Sequence, residues 1–315
     1  MPRERGAGLP VDALADAVGA ERLERNVPLA PYTTFRIGGP ADVFYRARTP
    51  GELTAAVTAA RALEVPYFLL GTGANVLVAD AGFRGLVIRS EVGGVDFLDG
   101  ARVRAGAGVR MYRELIPATL RQALGGLHHF VGIPSSVGGA VWQNLHFLSP
   151  DRSRMVYLAE VLESAKVLVD GDVRTVGRDY FRFGYDYSIL HDRDDVLLAA
   201  TFALEPAAEA DLRRVVRENL AWRDERHPDL WLYPCAGSIF RKIEGVGAGR
   251  LIDECGLKGR LHGNAQIFHK HANIIVNLGG ATAADVRALI DLARDAVQHR
   301  FGYELVPEIV FVGQV

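Results

Sequence analysis

Gly132-Ile133-Pro134-Ser135-Ser136-Val137-Gly138-Gly139-Ala140 packs three glycines, two hydroxyls and a proline into one uncharged run. Glycine removes the side chain that blocks close approach, and successive N–H groups of such a turn form a concave nest for phosphate oxygens. A second loop, Gly71-Thr72-Gly73-Ala74-Asn75, lies upstream. Together they predict one large nucleotide cofactor gripped from two sides, although either alone also reads as a tight turn. The upstream loop follows a strand-like Tyr67-Phe68-Leu69-Leu70 and runs into Val76-Leu77-Val78, also strand-like. A Rossmann turn would place its third glycine at position 76 and open a helix there, so this loop is not one and must work through backbone N–H groups alone.

Outward from these loops, the N-terminal third reads as a helix over residues 11–23, a glycine turn, a strand around Val43-Phe44-Tyr45, and a second helix. That helix starts with Thr49 as cap, Pro50 at the first position and Glu52 closing a capping box, and it is expected to end near Leu63. Between positions 87 and 204 short β-branched runs recur, interrupted by one helix over residues 111–124. Mixed strands with few helices predict an α+β rather than a doubly wound fold. Glu205-Pro206-Ala207-Ala208 reads as a boundary, followed by a helix over 210–223. The C-terminal third holds a loop at 233–240, a helix near 250–255, a long amphipathic helix carrying Val286, Leu289, Ile290, Ala293 and Val297, and a closing strand over 305–311. The expected units are 1–90, 91–205 and 206–315.

In a chain of 315 residues, 36 basic and 38 acidic side chains nearly cancel and form no basic run, which argues against a nucleic-acid or anionic-membrane surface. No apolar stretch is long enough to span a bilayer, and the opening Met1-Pro2-Arg3-Glu4-Arg5-Gly6 lacks an apolar signal core, so a cytoplasmic protein without membrane insertion is expected. Two cysteines, Cys235 and Cys255, cannot build a disulfide framework and read as reduced thiols. His269 and His271 alternate on an expected strand and His128 adjoins His129, but neither pair has a third ligand at metal spacing, and no metal is expected.

Taken in order, residues 32–42, 70–80, 132–144, 234–240, 266–277 and Pro307-Glu308 resemble the UDP-N-acetylenolpyruvoylglucosamine reductases, the MurB family of bacterial cell-wall synthesis, over nearly the whole chain. The short stretch after Phe240 is similar to the compact version, without a tyrosine-bearing insertion over the substrate. The resemblance implies a two-subdomain FAD-binding fold of the vanillyl-alcohol-oxidase/PCMH type with a C-terminal α+β substrate domain, non-covalent FAD, NADPH as reductant, a nucleotide-sugar substrate, and a monomer or weak oligomer. It implies that Gly71, Thr72, Gly73, Ala74 and Asn75, with Gly132, Ile133, Pro134, Ser135, Ser136, Gly138, Gly139 and Asn144, hold the cofactor beside Arg36, Ile37 and Gly38. It further implies that Ser238 donates a proton to the carbanionic centre left by hydride transfer and that Glu308 polarises the substrate carboxyl group. Ser238 also reads as a turn hydroxyl, and Glu308 as an edge-strand side chain facing water. Gln266, His271 and Asn273 match the family's substrate-domain segment, each with a capping or core role as the alternative; Arg241, Lys242 and Arg250 read as diphosphate contacts or solvated surface charges, and Tyr185 and Arg182 are further substrate candidates.

The chain departs from the family pattern at the arginine of Tyr-Arg-x-Ser, since the matching stretch is Tyr185-Asp186-Tyr187-Ser188. Aspartate there would repel a substrate carboxylate by about 4 kcal/mol at contact in an effective dielectric of about 20. The expectation is that Asp186 points elsewhere and that Arg182 or Arg193 supplies the cation. Ala74 replaces a common serine, and Leu145-His146-Phe147 replaces Ala-Gly-Ala after Asn144. Two alternatives stay open: a flavin oxidase or dehydrogenase on another substrate, with His128, His129 or His146 as attachment point, and a flavin- or nucleotide-sugar-binding protein that has lost catalysis.

Overall fold

The structure, a computed structural model, describes residues 9–243 and 245–314. The N-terminal residues 1–6 read above for a signal core, and Glu244 of the glycine-rich stretch 243–249, lie outside the described residues.

Strand formation in the first third follows the two-residue period. Val43, Tyr45 and Ala47 of the strand Pro40–Ala47 enter one core and Phe44 the opposite one. The resulting four-stranded sheet has the order Leu23–Pro28, Pro40–Ala47, Phe83–Ser90, Tyr67–Leu70, antiparallel at the first pair and parallel beyond it. The helix Pro50–Ala62 packs on one face through Leu53, Ala56, Val57 and Ala60, with Thr49 accepting from the Glu52 N–H as expected of its cap. The helix expected over 11–23 stops at Val18. Gly19 takes φ 91°, a short 3-10 turn follows, and Leu23 already opens a strand.

A five-stranded antiparallel sheet forms the second layer, in the order Asp172–Gly177, Leu162–Val169, Val196–Ala203, Arg102–Gly106, Val95–Leu98. Leu168, Val196 and Leu198 from this sheet join the core of the first, so the two layers share one apolar contact. The helix expected over 111–124 divides into a π turn, Met111–Leu115, and a short α-helix, Ile116–Arg121. The helix Glu209–Arg226, read from sequence as opening the third unit, packs against the second. Asn219 Nδ2 donates to His129 O at 3.1 Å, and Trp222 meets Phe147 edge-on. Its polar sequence hides this allegiance, because few of its side chains are buried.

The remaining residues form a three-stranded antiparallel sheet, Leu261–His262, Ala265–Ile267, Ile275–Asn277, under the helices Ala248–Glu254 and Ala283–Phe301. Thr282 and Asp285 complete a capping box on the last helix, and Asp80 adds its carboxylate from the first third, accepting from the N–H groups of Ala283 and Ala284. Phe35, Ile37 and Leu77 of the first third lie inside this C-terminal core. The expected closing strand is short, Val310–Val312, and pairs in parallel with Val76–Val78. His269 and His271 sit in a turn, not on a strand, since the ladder ends at Ile267 and the His271 N–H returns to Phe268 O.

Candidate active site

The two glycine-rich loops meet. Thr72 Oγ1 donates to Pro134 O at 2.7 Å, and a Cβ on Gly71 would stand 2.4 Å from Ser136 Oγ and displace that hydroxyl. Gly73 has φ +65°, and a Cβ there would lie 2.3 Å from Tyr32 O. Among the described residues, none of the backbone N–H groups of residues 71–75 donates to a protein acceptor. They fit a pyrophosphate, which needs donors and close backbone approach.

The run 132–140 spends part of its hydrogen-bonding capacity on its own fold. Ser136 caps the short helix Val137–Trp142 by accepting from the Gly139 N–H, while the N–H groups of Val137 and Gly138 donate to Val109 O and Ala107 O at 2.8 Å each. Ser135 Oγ donates to Ser136 O. These donors and hydroxyls are spent internally, whereas among the described residues no acceptor takes the N–H groups of Gly132 and Ser136. Three further cofactor candidates are also engaged elsewhere. Ile37 is buried in the C-terminal core, Arg36 lies exposed over the Trp231 ring, and the Asn144 amide donates to Gly184 O and accepts from the Ala159 N–H. Gly38 packs against Val78.

Ser238 and Glu308, 70 positions apart in the sequence, are brought together by backbone pairing. Ser238 bridges Ile274, Phe240 bridges Pro307, and the Glu308 N–H donates to Ile239 O at 2.8 Å. Asn75 of the upstream loop donates its amide to Glu308 O at 3.2 Å and its own carbonyl accepts from Val310, so the nest and the acid share one scaffold. Both side chains line a cavity of about 460 Å³ with Tyr185, Lys242, Arg250, Lys258, Lys270, His271 and Asn273. The Ser238 hydroxyl makes no hydrogen bond to a described residue, unlike a turn hydroxyl closed on its own backbone. Burial first, and then the charge of Asp186, push the Glu308 carboxyl up to about 8, against the opposing pull of Arg241.

Of the other substrate candidates, Asn273 spends its amide on Phe240, accepting from its N–H and donating to its carbonyl. Gln266 is turned away from the cavity and donates to Gly259 O. Arg182 lines a separate cavity of about 550 Å³ with Arg178, Tyr157 and Tyr185, and Arg193 is paired with Asp195 at 2.9 Å. Neither arginine replaces the missing guanidinium in the first cavity; Lys242 lines it, and Arg241 acts on Glu308 across it.

Asp186 does not point away. It is 2% exposed, in the left-handed region at φ 50°, and neither carboxylate oxygen accepts a hydrogen bond from a described residue. Among the described residues its one ionic neighbour is His146, whose Nδ1 lies 3.5 Å from Asp186 Oδ1. Burial lowers the His146 pKa and Asp186 opposes that fall. Burial and the Asp186 charge likewise hold the Tyr185 and Tyr157 phenols above their usual range. The pairing escaped sequence reading because positions 146 and 186 were seen as separate departures; their shared signal was an added imidazole accompanying a lost guanidinium. His128 and His129 line neither cavity: their rings lie 4.1 Å apart, and His128 is buried. Cys235 is a buried thiol pushed up to about 11 by burial, the inert residue expected. Among the described residues no group of three or more His, Cys, Asp or Glu is placed to hold a metal, and no helix is long and apolar enough to cross a membrane.

Comparison with known proteins agrees with this arrangement. Residues 41–177 match the FAD binding domain family, and residues 228–312 match the family described as UDP-N-acetylenolpyruvoylglucosamine reductase, C-terminal domain. The reductase of Rubrobacter xylanophilus is 39% identical across 91% of this chain and 94% of its own length, and that of Anoxybacillus flavithermus is 36% identical across 93% and 95%. The crystal structure of the Thermus caldophilus enzyme superposes with a TM-score of 0.78 at 33% identity, covering 93% of this chain and 99% of that one. With both domains matched in order, and relatives aligned along almost their full length, the chain belongs to the family of UDP-N-acetylenolpyruvoylglucosamine reductases.

Proposed function

We propose that this protein reduces UDP-N-acetylglucosamine enolpyruvate to UDP-N-acetylmuramate, with FAD as its cofactor and NADPH as reductant, in peptidoglycan synthesis. The observation that carries this reading is the convergence of Ser238 and Glu308 on one cavity, tied through Asn75 to the glycine loop 71–75. FAD supplies the transfer of reducing equivalents from NADPH to the alkene. Ser238 then has to deliver a proton to a carbanionic centre, a strong base for which position outweighs the weak acidity of a hydroxyl. Glu308, protonated at neutral pH by its raised pKa, donates a hydrogen bond to the substrate carboxyl group as charge develops there. Lys242 and Lys270 bring positive charge to the cavity for the diphosphate, while Lys258 and Arg250 are paired with Asp253 and Glu254. Residues 71–75 hold the cofactor through the backbone, and Tyr185 and His271 complete the wall beside the reacting group.

The test is anaerobic. Flavin bleached by NADPH is expected to recover its colour promptly when the enolpyruvyl nucleotide sugar is added, whereas flavin that stays bleached overturns the reading. Asp186 favours a second reading, an FAD-binding relative without turnover, and persistent bleaching with intact nucleotide-sugar binding is the outcome that selects it.

A further inference from the structure

Asp186 places a carboxylate where the family pattern has a guanidinium, and the fold buries it instead of turning it out to water. A carboxylate taken out of water without donors costs several kcal/mol, so a buried Asp186 needs a cation when the site is filled. Among the described residues His146 is the group within ion-pair distance, its Nδ1 3.5 Å from Asp186 Oδ1, with the Tyr185 phenol the other neighbour that Asp186 acts on. The imidazole rides on the strand His146–Leu148, against Tyr157 of the partner strand and Tyr185 of the turn that also carries Asp186. The charged and titratable groups that bear on the pair are therefore Tyr157, Tyr185, Lys242, His191 and Glu308.

We propose that His146 and Asp186 together replace the missing guanidinium: binding of the substrate carboxylate draws one proton from solvent onto His146, and the imidazolium, held by Asp186, supplies the positive charge. This inference rests on the proposed substrate. No heavy-atom bond changes in the step. The free site keeps the imidazole neutral, because burial lowers its pKa; an entering anion adds a second negative neighbour and reverses that balance. An arginine in the same place would be charged at every working pH, so the exchange makes carboxylate binding dependent on pH where the family pattern does not. His146 is thus a specificity-determining residue and Asp186 a positioning residue acting through it.

The experiment is calorimetric titration of the FAD-loaded protein with UDP-N-acetylmuramate, in buffers of different ionisation enthalpy, from about pH 6 to about pH 9. Uptake of about one proton per ligand at neutral pH is expected, with affinity falling about tenfold per pH unit above the free imidazole pKa. UDP-N-acetylglucosamine, which lacks the carboxylate, is expected to bind without that uptake. His146→Asn is expected to abolish the uptake and weaken UDP-N-acetylmuramate binding, and the double variant His146→Gly with Asp186→Arg to bind it with a flat pH profile. Flavin absorbance of each variant reports whether it is folded and loaded, and the wild-type proton count and its pH slope test the proposal without any variant. Binding of UDP-N-acetylmuramate without proton uptake, or uptake unchanged in His146→Asn, overturns the inference alone. Absence of binding by either nucleotide sugar overturns the proposed function, and the inference with it.

Discussion

At the scale of single residues, the argument turns on two side chains whose chemistry differs from that of their free forms. Ser238 is a weak acid in water, useful here only through position. Ser238→Ala is expected to leave flavin bleaching by NADPH intact and to slow product formation by about 10²–10⁴, as removal of a positioned proton donor does; stopped-flow measurement of the two half-reactions separates these effects. Glu308 has a raised pKa, so the folded protein holds its proton between the ordinary carboxylate range and about 8 while the unfolded chain releases it. The folded state therefore binds more protons across that window, and its stability falls as pH rises through it. Glu308→Gln is expected to raise the melting temperature more at about pH 8 than at about pH 5, and to remove the loss of wild-type turnover as pH passes about 8; thermal denaturation and a kcat profile check the two halves. Ser238 and Glu308 were legible in the sequence only through resemblance, because Gly237-Ser238 is otherwise an ordinary turn dipeptide. The His146–Asp186 contact was not legible, since a distance between positions 40 apart in the chain is set by folding.

Elements explain why the two glycine loops, alike in composition, differ in how many N–H groups they keep free. The loop 71–75 lies between two strands and ends no helix, so its N–H groups find no intrasegment partner. The run 132–140 leads into a helix whose first N–H groups are taken by Ser136 and by the carbonyls of Ala107 and Val109. Gly73→Ala is expected to lower the FAD content of purified protein severalfold, because φ +65° and a clash 2.3 Å from Tyr32 O both oppose it; the ratio of flavin to protein absorbance measures this. Most elements were readable in advance. The caps at Thr49 and Thr282, the helical stop at Gly302 and the strands at 67–70 and 76–78 all follow local rules. The helix Glu209–Arg226 is legible as an element, but a mostly polar helix carries little signal of which surface its few apolar residues meet.

Over the whole molecule, the C-terminal third is locked onto the first rather than docked beside it. Asn277 Nδ2 donates to Phe35 O while its Oδ1 accepts from Gly279 and Ala281, and Asp80 caps the helix Ala283–Phe301 across the same junction. Asn277→Ala leaves the buried Phe35 carbonyl and Ala281 N–H without this partner, an expected loss on the order of 1–3 kcal/mol for each group left unpaired, visible in the midpoint of urea denaturation. The same junction sets Glu308 beside Asn75. Periodicity, capping and turn chemistry are properties of neighbouring residues, and by themselves they determined the α+β class, most of the elements, the rejection of a Rossmann turn and, through the order of short motifs, the family. Which glycine loop keeps its N–H groups free, which cations face the cavity and what stands opposite Asp186 were decided only by the tertiary structure, because donors, charges and burial are settled by what the fold brings into contact.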